Sequence, residues 1–117
     1  MTHSNAVNYC KSIGRFLVVP RNRVETNEIR GLLPDGDVRA WLGIQKVNGR
    51  WTSDDPNNKI IWYDWKPGGE GNQGEPNAGM VWKSGEWNGE WYDMYPGARV
   101  HYAVCVNPKK GIQKYKI

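Results

Sequence analysis

The chain has 117 residues, a formal net charge of +4 and a hydrophobic content of 38%. This length suits one domain rather than two, so we expect residues 1–117 to form a single domain. A membrane span is not expected, because no apolar run approaches the roughly 20 residues that a spanning helix needs. A nucleic-acid partner is not expected either, since the basic residues are scattered among twelve acidic ones and form no nucleic-acid motif.

The first half of the chain alternates helical and strand-like patterns. Apolar residues at helical spacing follow Ser4, which can serve as an N-cap, and Gly14 follows the last of them, so a helix is expected between these two residues. A second partial apolar stripe follows Asn22. The predicted elements in this half are a helix over residues 4–13, a strand over 15–19, a helix over 22–33 and a buried strand over 39–44.

Residues 48–79 carry few periodic patterns, and loops of this length in a compact domain are usually functional or disordered. After them, residues 81–83 and 90–92 can pair as strands, because the intervening Asn88-Gly89 is a strong hairpin signal. The residue pattern at 101–106 predicts a core strand. The seven Trp and six Tyr are too many for so small a core, so one or two rings are expected to be exposed.

Residues 107–117 form either a basic C-terminal tail or a hairpin strand. Four lysines lie within eight residues here (Lys109, Lys110, Lys114 and Lys116). They suit a solvated tail, and they equally suit attraction to an anionic surface. Residues 111–117 are also strand-like and follow a turn-rich segment, so they can fold back on residues 101–106 and cover an exposed sheet edge.

Oxygen-bearing side chains flank a rigid proline in Glu75-Pro76-Asn77, and Asp93 follows in the next segment. Carboxylate and amide oxygens are the ligands that a hard cation such as calcium prefers. Calcium takes six to eight oxygens, so a site with three protein groups keeps open positions. Vicinal hydroxyls of a sugar can fill such positions.

These residues also carry a family resemblance. Glu75-Pro76-Asn77 is similar to the Glu-Pro-Asn signature of C-type lectin-like domains that prefer mannose-type sugars. Two further segments resemble family strands: Trp41-Leu42-Gly43-Ile44 resembles the Trp-Ile-Gly-Leu strand, and Trp91-Tyr92-Asp93 resembles the Trp-Asn-Asp segment. The N-terminal pattern resembles the family's first helix, short strand and second helix through Ala6, Cys10, Gly14, Leu17, Pro20 and Glu25.

The resemblance implies an α+β fold, with two helices on a small, mostly antiparallel sheet and a long loop region. It implies a non-enzymatic carbohydrate-binding module that recognises mannose- or glucose-type sugars through calcium. Glu75, Asn77 and Asp93 would bind calcium, and the same three residues with Tyr92 would contact the sugar. Binding at one site would be weak, so an oligomer or a larger parent protein would supply avidity.

The chain departs from the family pattern near this site. Tyr92 stands where the family has Asn, and Ala78-Gly79-Met80-Val81 offers no carboxylate after the Glu-Pro-Asn signature. The inner cysteine pair of the long loop is missing as well. These departures support an alternative function, a calcium-independent lectin-like domain that binds a protein or another extracellular surface.

The resemblance pairs Cys10 with Cys105 in a disulfide that joins the two ends of the domain. A disulfide implies an oxidising compartment, so the protein is expected to be secreted or extracellular, with a glycan or a cell-surface glycoprotein as its partner. Two buried free thiols in a cytosolic protein are the alternative. A metal site built from these cysteines with His3 and His101 lacks any standard ligand spacing.

Overall fold

The computed structural model describes residues 1–35, 38–55, 59–65, 78–82, 91–94, 100–107 and 111–116. Within these ranges, two α-helices accompany one sheet of seven strands. The helices are α1 (His3–Ser12) and α2 (Arg23–Leu32). The strands are β1 (Phe16–Leu17), β2 (Arg39–Val47), β3 (Arg50–Ser53), β4 (Ala78–Trp82), β5 (Trp91–Met94), β6 (Tyr102–Asn107) and β7 (Gly111–Lys116).

The predicted α+β class with two helices is confirmed, and the sheet is mixed. The strand order is β1-β6-β2-β4-β5, with β3 also paired to β2 and β7 to β6. The β2–β6 pairing is parallel, and the other pairings between named strands are antiparallel. The residues for which we expected a returning strand form β7, which pairs with the whole length of β6.

The sheet separates two apolar clusters because successive residues of a strand point to opposite faces. In β2, Ala40 and Leu42 pack with Ile29 of α2, whereas Trp41 packs with Ala6 of α1. Residues of β6 alternate in the same way between the two clusters. We call the cluster that contains Ile29 the α2 cluster and the cluster that contains Ala6 the α1 cluster.

Local side-chain chemistry sets the helix starts. The predicted N-cap Ser4 is wrong: Thr2 caps α1 and accepts a hydrogen bond from the Asn5 backbone N–H at 3.2 Å. Asn5 Oδ1 in turn accepts from the Thr2 backbone N–H. This reciprocal capping box puts the N-cap two residues before the predicted one, and the helix begins at His3. Helix α2 begins after Asn22, whose side chain caps the Glu25 N–H at 2.9 Å.

The disulfide predicted from the family resemblance is confirmed. Cys10 of α1 and Cys105 of β6 are bonded across 95 residues of chain, and both are fully buried in the α1 cluster. In the chain-entropy account, closing so long a loop contributes about 4–5 kcal/mol to the free energy of unfolding. The bond therefore attaches α1 to the sheet covalently.

Strand β3 was not predicted, because it lies in the segment that was expected to have little regular structure. Residues 48 and 49 both take positive φ, 51° at Asn48 and 76° at Gly49, which suits the tight two-residue turn between β2 and β3. The turn reverses the chain so that Arg50–Ser53 pairs with the second half of β2. The Asn-Gly dipeptide at 48–49 is the signal that could have predicted it.

Gly43 lets β1 and β2 approach closely. Its backbone N–H donates to the Val18 carbonyl at 2.7 Å. A Cβ at this position would overlap the Leu17 carbonyl group and lie 3.2 Å from Val19 Cγ2. The position therefore requires glycine, because the obstacle is backbone that cannot move aside alone.

We expect Gly43→Ala to destabilise the protein by about 1–3 kcal/mol, because the added methyl group forces β1 away from β2. The matched control is Gly31→Ala in α2, where a Cβ meets nothing within 4 Å. That substitution should leave the stability unchanged or raise it by less than about 1 kcal/mol, because Gly31 lies in the last turn of α2 and alanine is favoured over glycine in a helix. Urea denaturation of the two variants measures both, and equal stabilities would contradict the close-approach explanation.

Candidate functional site

Strands β4 and β5 are the described elements nearest in sequence to the predicted calcium ligands. Strand β4 begins at Ala78, directly after Asn77 in sequence, and Gly79 of β4 pairs with Asp93 of β5. Glu75 and Asn77 themselves lie outside the described residues. The ladder thus brings Asp93 opposite a residue only two positions after Asn77 in sequence.

Tyr92 and Trp91, adjacent in β5, contact opposite faces of the sheet. Trp91 is fully buried in the α2 cluster, whereas Tyr92 is half-buried and packs against the α1 cluster. The ring of Tyr92 therefore contributes to packing beneath α1. A family asparagine at this position would leave that apolar contact unmade.

The donor set that the sequence proposes for calcium consists of oxygens. Two carboxylates (Glu75 and Asp93) and one amide (Asn77) are hard ligands of the kind that calcium binds. Across the ranges that the structure describes, no group of three or more His, Cys, Asp or Glu residues is placed to hold a metal ion. The donor chemistry fits calcium, with fewer protein oxygens than a full shell needs.

An aromatic stack lies next to β5, in a segment without regular structure. The ring of Trp65 contacts Trp51 of β3 at a centroid distance of 4.7 Å and is stacked on Tyr63 at 6.4 Å, with 22° between the Trp65 and Tyr63 planes. Trp65 also meets Trp91 edge to face at 5.7 Å. Offset and edge-to-face contacts of this kind stabilise aromatic pairs beyond the apolar area that they bury.

Backbone and ionic contacts hold this segment in place. The Trp91 N–H donates to the Asp64 carbonyl at 2.7 Å, and Trp65 forms an isolated bridge with Trp91. The carboxylate of Asp64 pairs with the guanidinium of Arg23 at the start of α2. Residues 59–65 are thus attached to both β5 and α2 even though they form no strand or helix.

A cleft of about 360 Å³ opens between β3 and residues 59–65. One wall carries the rings of Trp51 and Tyr63, and the rest is largely polar. The lining residues are Trp51, Thr52, Ser53, Asp55, Lys59, Ile60 and Tyr63. We call this the Trp51–Tyr63 cleft.

A buried histidine–carboxylate pair joins the start of α1 to Asp54, the residue that follows β3. The side chain of His3 is 1% exposed, and its Nε2–H donates to the Leu42 carbonyl at 2.9 Å. The Asp54 carboxylate lies 3.6 Å from the same nitrogen, and the Trp41 ring meets the imidazole edge to face at 5.3 Å. This pair attaches α1 to β2 and to the end of β3.

Burial controls the protonation of both groups. Desolvation lowers the pKa of His3, against the hydrogen bond to Leu42 and the negative charge of Asp54, which raise it. Desolvation also raises the pKa of Asp54, while the positive charges of His3 and Lys11 lower it. The neutral form of each group is therefore favoured relative to the unfolded chain.

Sequence reasoning missed both the His3–Asp54 pair and the Trp51–Tyr63 cleft. His3 precedes Asp54 by 51 residues, and no periodic pattern links them. A partial signal for the cleft existed, because aromatic residues recur at 62, 63 and 65 in a segment without strand alternation. That recurrence indicated packing beneath a loop and could not indicate which rings remain accessible.

Comparison with known proteins identifies the family. The model of the lectin C-type domain matches residues 1–107. The chain belongs to the C-type lectin domain family. Members of this family are non-enzymatic carbohydrate-binding proteins, so the prediction that the chain is not an enzyme is confirmed on the ground of family membership.

Individual relatives are moderately similar. Over 116 residues the chain is 28% identical to E-selectin of Bos taurus, covering 92% of this chain and 24% of that protein. Over 83 residues it is 30% identical to mannose-binding protein of Gallus gallus, covering 68% of this chain and 31% of that protein. The chain thus spans less than a third of the length of each of these curated relatives.

A solved structure shows the same fold. The C-type carbohydrate-recognition domain of cow CD23, crystallised in the presence of a GlcNAc2Man3 oligosaccharide, superposes with a TM-score of 0.74 at 19% identity. The match covers 100% of this chain and 83% of that one.

Of the helices in the described ranges, neither is long and apolar enough to cross a membrane.

The buried His3 should make stability depend on pH. Because its pKa is lower in the folded state, the unfolded chain binds more protons below about pH 6.5, and the free energy of unfolding should fall as the pH decreases through that range. Asp54, whose pKa is raised, acts in the opposite direction at more acidic pH. We expect His3→Gln to flatten the fall below about pH 6.5, measured by urea denaturation at a series of pH values.

The matched control uses His101, which is exposed. His101→Gln removes a histidine without removing a buried imidazole, so the pH dependence of the unchanged protein should persist. A His3→Gln variant with the full wild-type pH dependence would show that His3 does not cause it.

Proposed function

We propose that the chain is a calcium-dependent carbohydrate-binding module for mannose- or glucose-type sugars. Family membership supports carbohydrate recognition in general. The observation that carries the finer proposal is the β4–β5 register, in which Asp93 pairs with Gly79, the second residue after Glu75-Pro76-Asn77. This register supports a common site for Asp93 and the Glu-Pro-Asn residues.

Each residue has a stated role in this proposal. Glu75 and Asn77 hold calcium and also hydrogen-bond the sugar: their oxygens accept from sugar hydroxyls, and the Asn77 amide donates. Asp93 adds the second negative charge to the ligand set. Bound calcium supplies open coordination positions that vicinal sugar hydroxyls fill.

The similar proteins support a mannose-type ligand. One relative is named mannose-binding protein, and the cow CD23 domain was crystallised in the presence of an oligosaccharide that contains mannose. The Glu-Pro-Asn sequence of this chain agrees with that class of sugar. We therefore assign mannose- or glucose-type sugars rather than another class.

Affinity at this site should be low. Tyr92 occupies a ligand position of the family and packs against the α1 cluster, so its ring adds no calcium ligand. Multivalency, through an oligomer or a longer parent protein, would then be needed for tight binding to a glycan-bearing surface. The buried Cys10–Cys105 disulfide supports a secreted or extracellular location, where such surfaces occur.

The half-buried Tyr92 also favours a second candidate function. If the β5 segment serves packing rather than calcium binding, the domain binds a protein or another extracellular surface without calcium. Residues 1–117 act as a single domain in either case. Calcium dependence separates the two candidates.

We expect calcium to raise the melting temperature and to change the tryptophan fluorescence, with both effects reversed by EDTA. Glu75→Gln should remove these responses and the EDTA-sensitive part of binding to immobilised mannose, because it removes one of two carboxylates. The matched control is Glu28→Gln on the exposed surface of α2, which changes the net charge equally and should retain the response.

The calcium-dependent proposal fails if the wild-type protein shows no response to saturating calcium. It fails equally if Glu75→Gln and Glu28→Gln respond alike. Retention of a protein ligand in EDTA, together with no calcium response, would establish the second candidate.

A further inference from the structure

We propose that the Trp51–Tyr63 cleft is a second saccharide site, which binds a neutral pyranose ring without calcium. None of its lining residues belongs to the proposed calcium ligand set, so the two proposals are independent. The inference goes beyond the proposed function, because it assigns a ligand to residues outside the Glu-Pro-Asn region.

The aromatic wall of the cleft is held in place before any ligand binds. Trp65 contacts the rings of both Trp51 and Tyr63, and it is itself packed on the fully buried Trp91. Tyr63 nevertheless stays 46% exposed. A ring that is both fixed and accessible can pack against the apolar C–H face of a pyranose at little cost in conformational entropy.

The polar wall offers both hydrogen-bond donors and acceptors. Thr52 Oγ1 donates to the Gln45 carbonyl at 3.0 Å, which leaves its lone pairs as acceptors. The hydroxyl of Ser53 is used by the backbone of Asp55, to which it donates at 3.1 Å and from which it accepts at 3.0 Å. Lys59, which is exposed and lines the cleft, adds the donors of its ammonium group.

The charges favour a neutral ligand. Two residues of opposite charge, Asp55 and Lys59, line the cleft, and Asp55 is only 6% exposed. The Lys59 ammonium repels a cation, and the buried negative charge of Asp55 offsets the attraction of Lys59 for an anion. A neutral ring with several hydroxyls suits this balance of charge better than an ion does, and its hydroxyls can accept from Lys59.

The dimensions agree with a small polar ligand. A volume of about 360 Å³ lies near the lower end of the range for small-molecule sites. The cleft is open on one side, so only part of the ligand surface would be buried. We therefore expect a dissociation constant of roughly millimolar for a monosaccharide.

The experiment titrates methyl α-D-mannopyranoside in EDTA and follows the indole N–H signal of Trp51 by NMR. In EDTA the proposed calcium site cannot contribute, so the two sites are measured separately. We expect the Trp51 signal to shift in a saturable manner. Anionic N-acetylneuraminic acid and cationic glucosamine, titrated in the same buffer, should bind more weakly.

Tyr63→Ala should weaken this binding about tenfold through loss of the aromatic face, whereas Tyr63→Phe should retain it because the ring remains. Ile61→Ala is the matched control, since Ile61 lies in the same segment, is 71% exposed and does not line the cleft. It should bind like the wild type.

Several results would overturn the second site. They are the absence of a saturable Trp51 shift in EDTA, equal binding by Tyr63→Ala and Ile61→Ala, and preferential binding of either charged sugar. Glu75→Gln provides the reciprocal check: it should leave binding in EDTA unchanged, so its failure to bind calcium would not count against the cleft.

Discussion

The contacts of the fully buried Trp91 support the described residues of both candidate sites. Its backbone belongs to β5, where Val81↔Trp91 is one pair of the ladder that also places Asp93 opposite Gly79. Its backbone N–H donates to the Asp64 carbonyl, and its ring packs edge to face against Trp65. One residue therefore connects β5, the strand that contains Asp93, with the irregular segment that forms the aromatic wall.

This role explains how residues 59–65 can be ordered without belonging to a strand or helix. Backbone polar groups in a compact protein need partners, and those of an irregular segment must find them individually. The Asp64 carbonyl finds its partner in β5, and the Asp64 side chain finds one in Arg23. Apolar packing of Trp62 and Trp65 against the α2 cluster then supplies the area that stabilises the segment.

The sequence predicted the elements whose patterns are local and periodic. The helix after Asn22 and the buried strand from residue 39 follow from apolar patterns, and the pairing of the segments around residues 81 and 91 follows from the Asn88-Gly89 turn signal. The start of α1 was misplaced because Thr2 and Asn5 cap each other, a reciprocal contact that competes with the simpler Ser4 signal. The prediction of the disulfide rested on the family resemblance, since the sequence alone left two free thiols as an alternative.

Contacts between distant and aperiodic residues were beyond prediction from the sequence. The His3–Asp54 pair and the Trp51–Trp65 contact each depend on the fold bringing separate segments together, and neither residue type in isolation indicates a partner. For the calcium ligands the sequence remains the main argument, with the β4–β5 register as its structural support.

The two proposed sites share Trp91 as a support, yet they use different chemistry. The ligands proposed near β4 and β5 are carboxylate and amide oxygens, whose affinity for calcium depends on charge. The cleft relies on an aromatic face and on hydroxyl and ammonium groups that act without a metal. A substitution at Trp91 would disturb both regions and could not distinguish them. Substitutions at Glu75 and Tyr63 each remove the chemistry of one site while retaining Trp91 itself, and this is why those two positions can separate the functions of this domain.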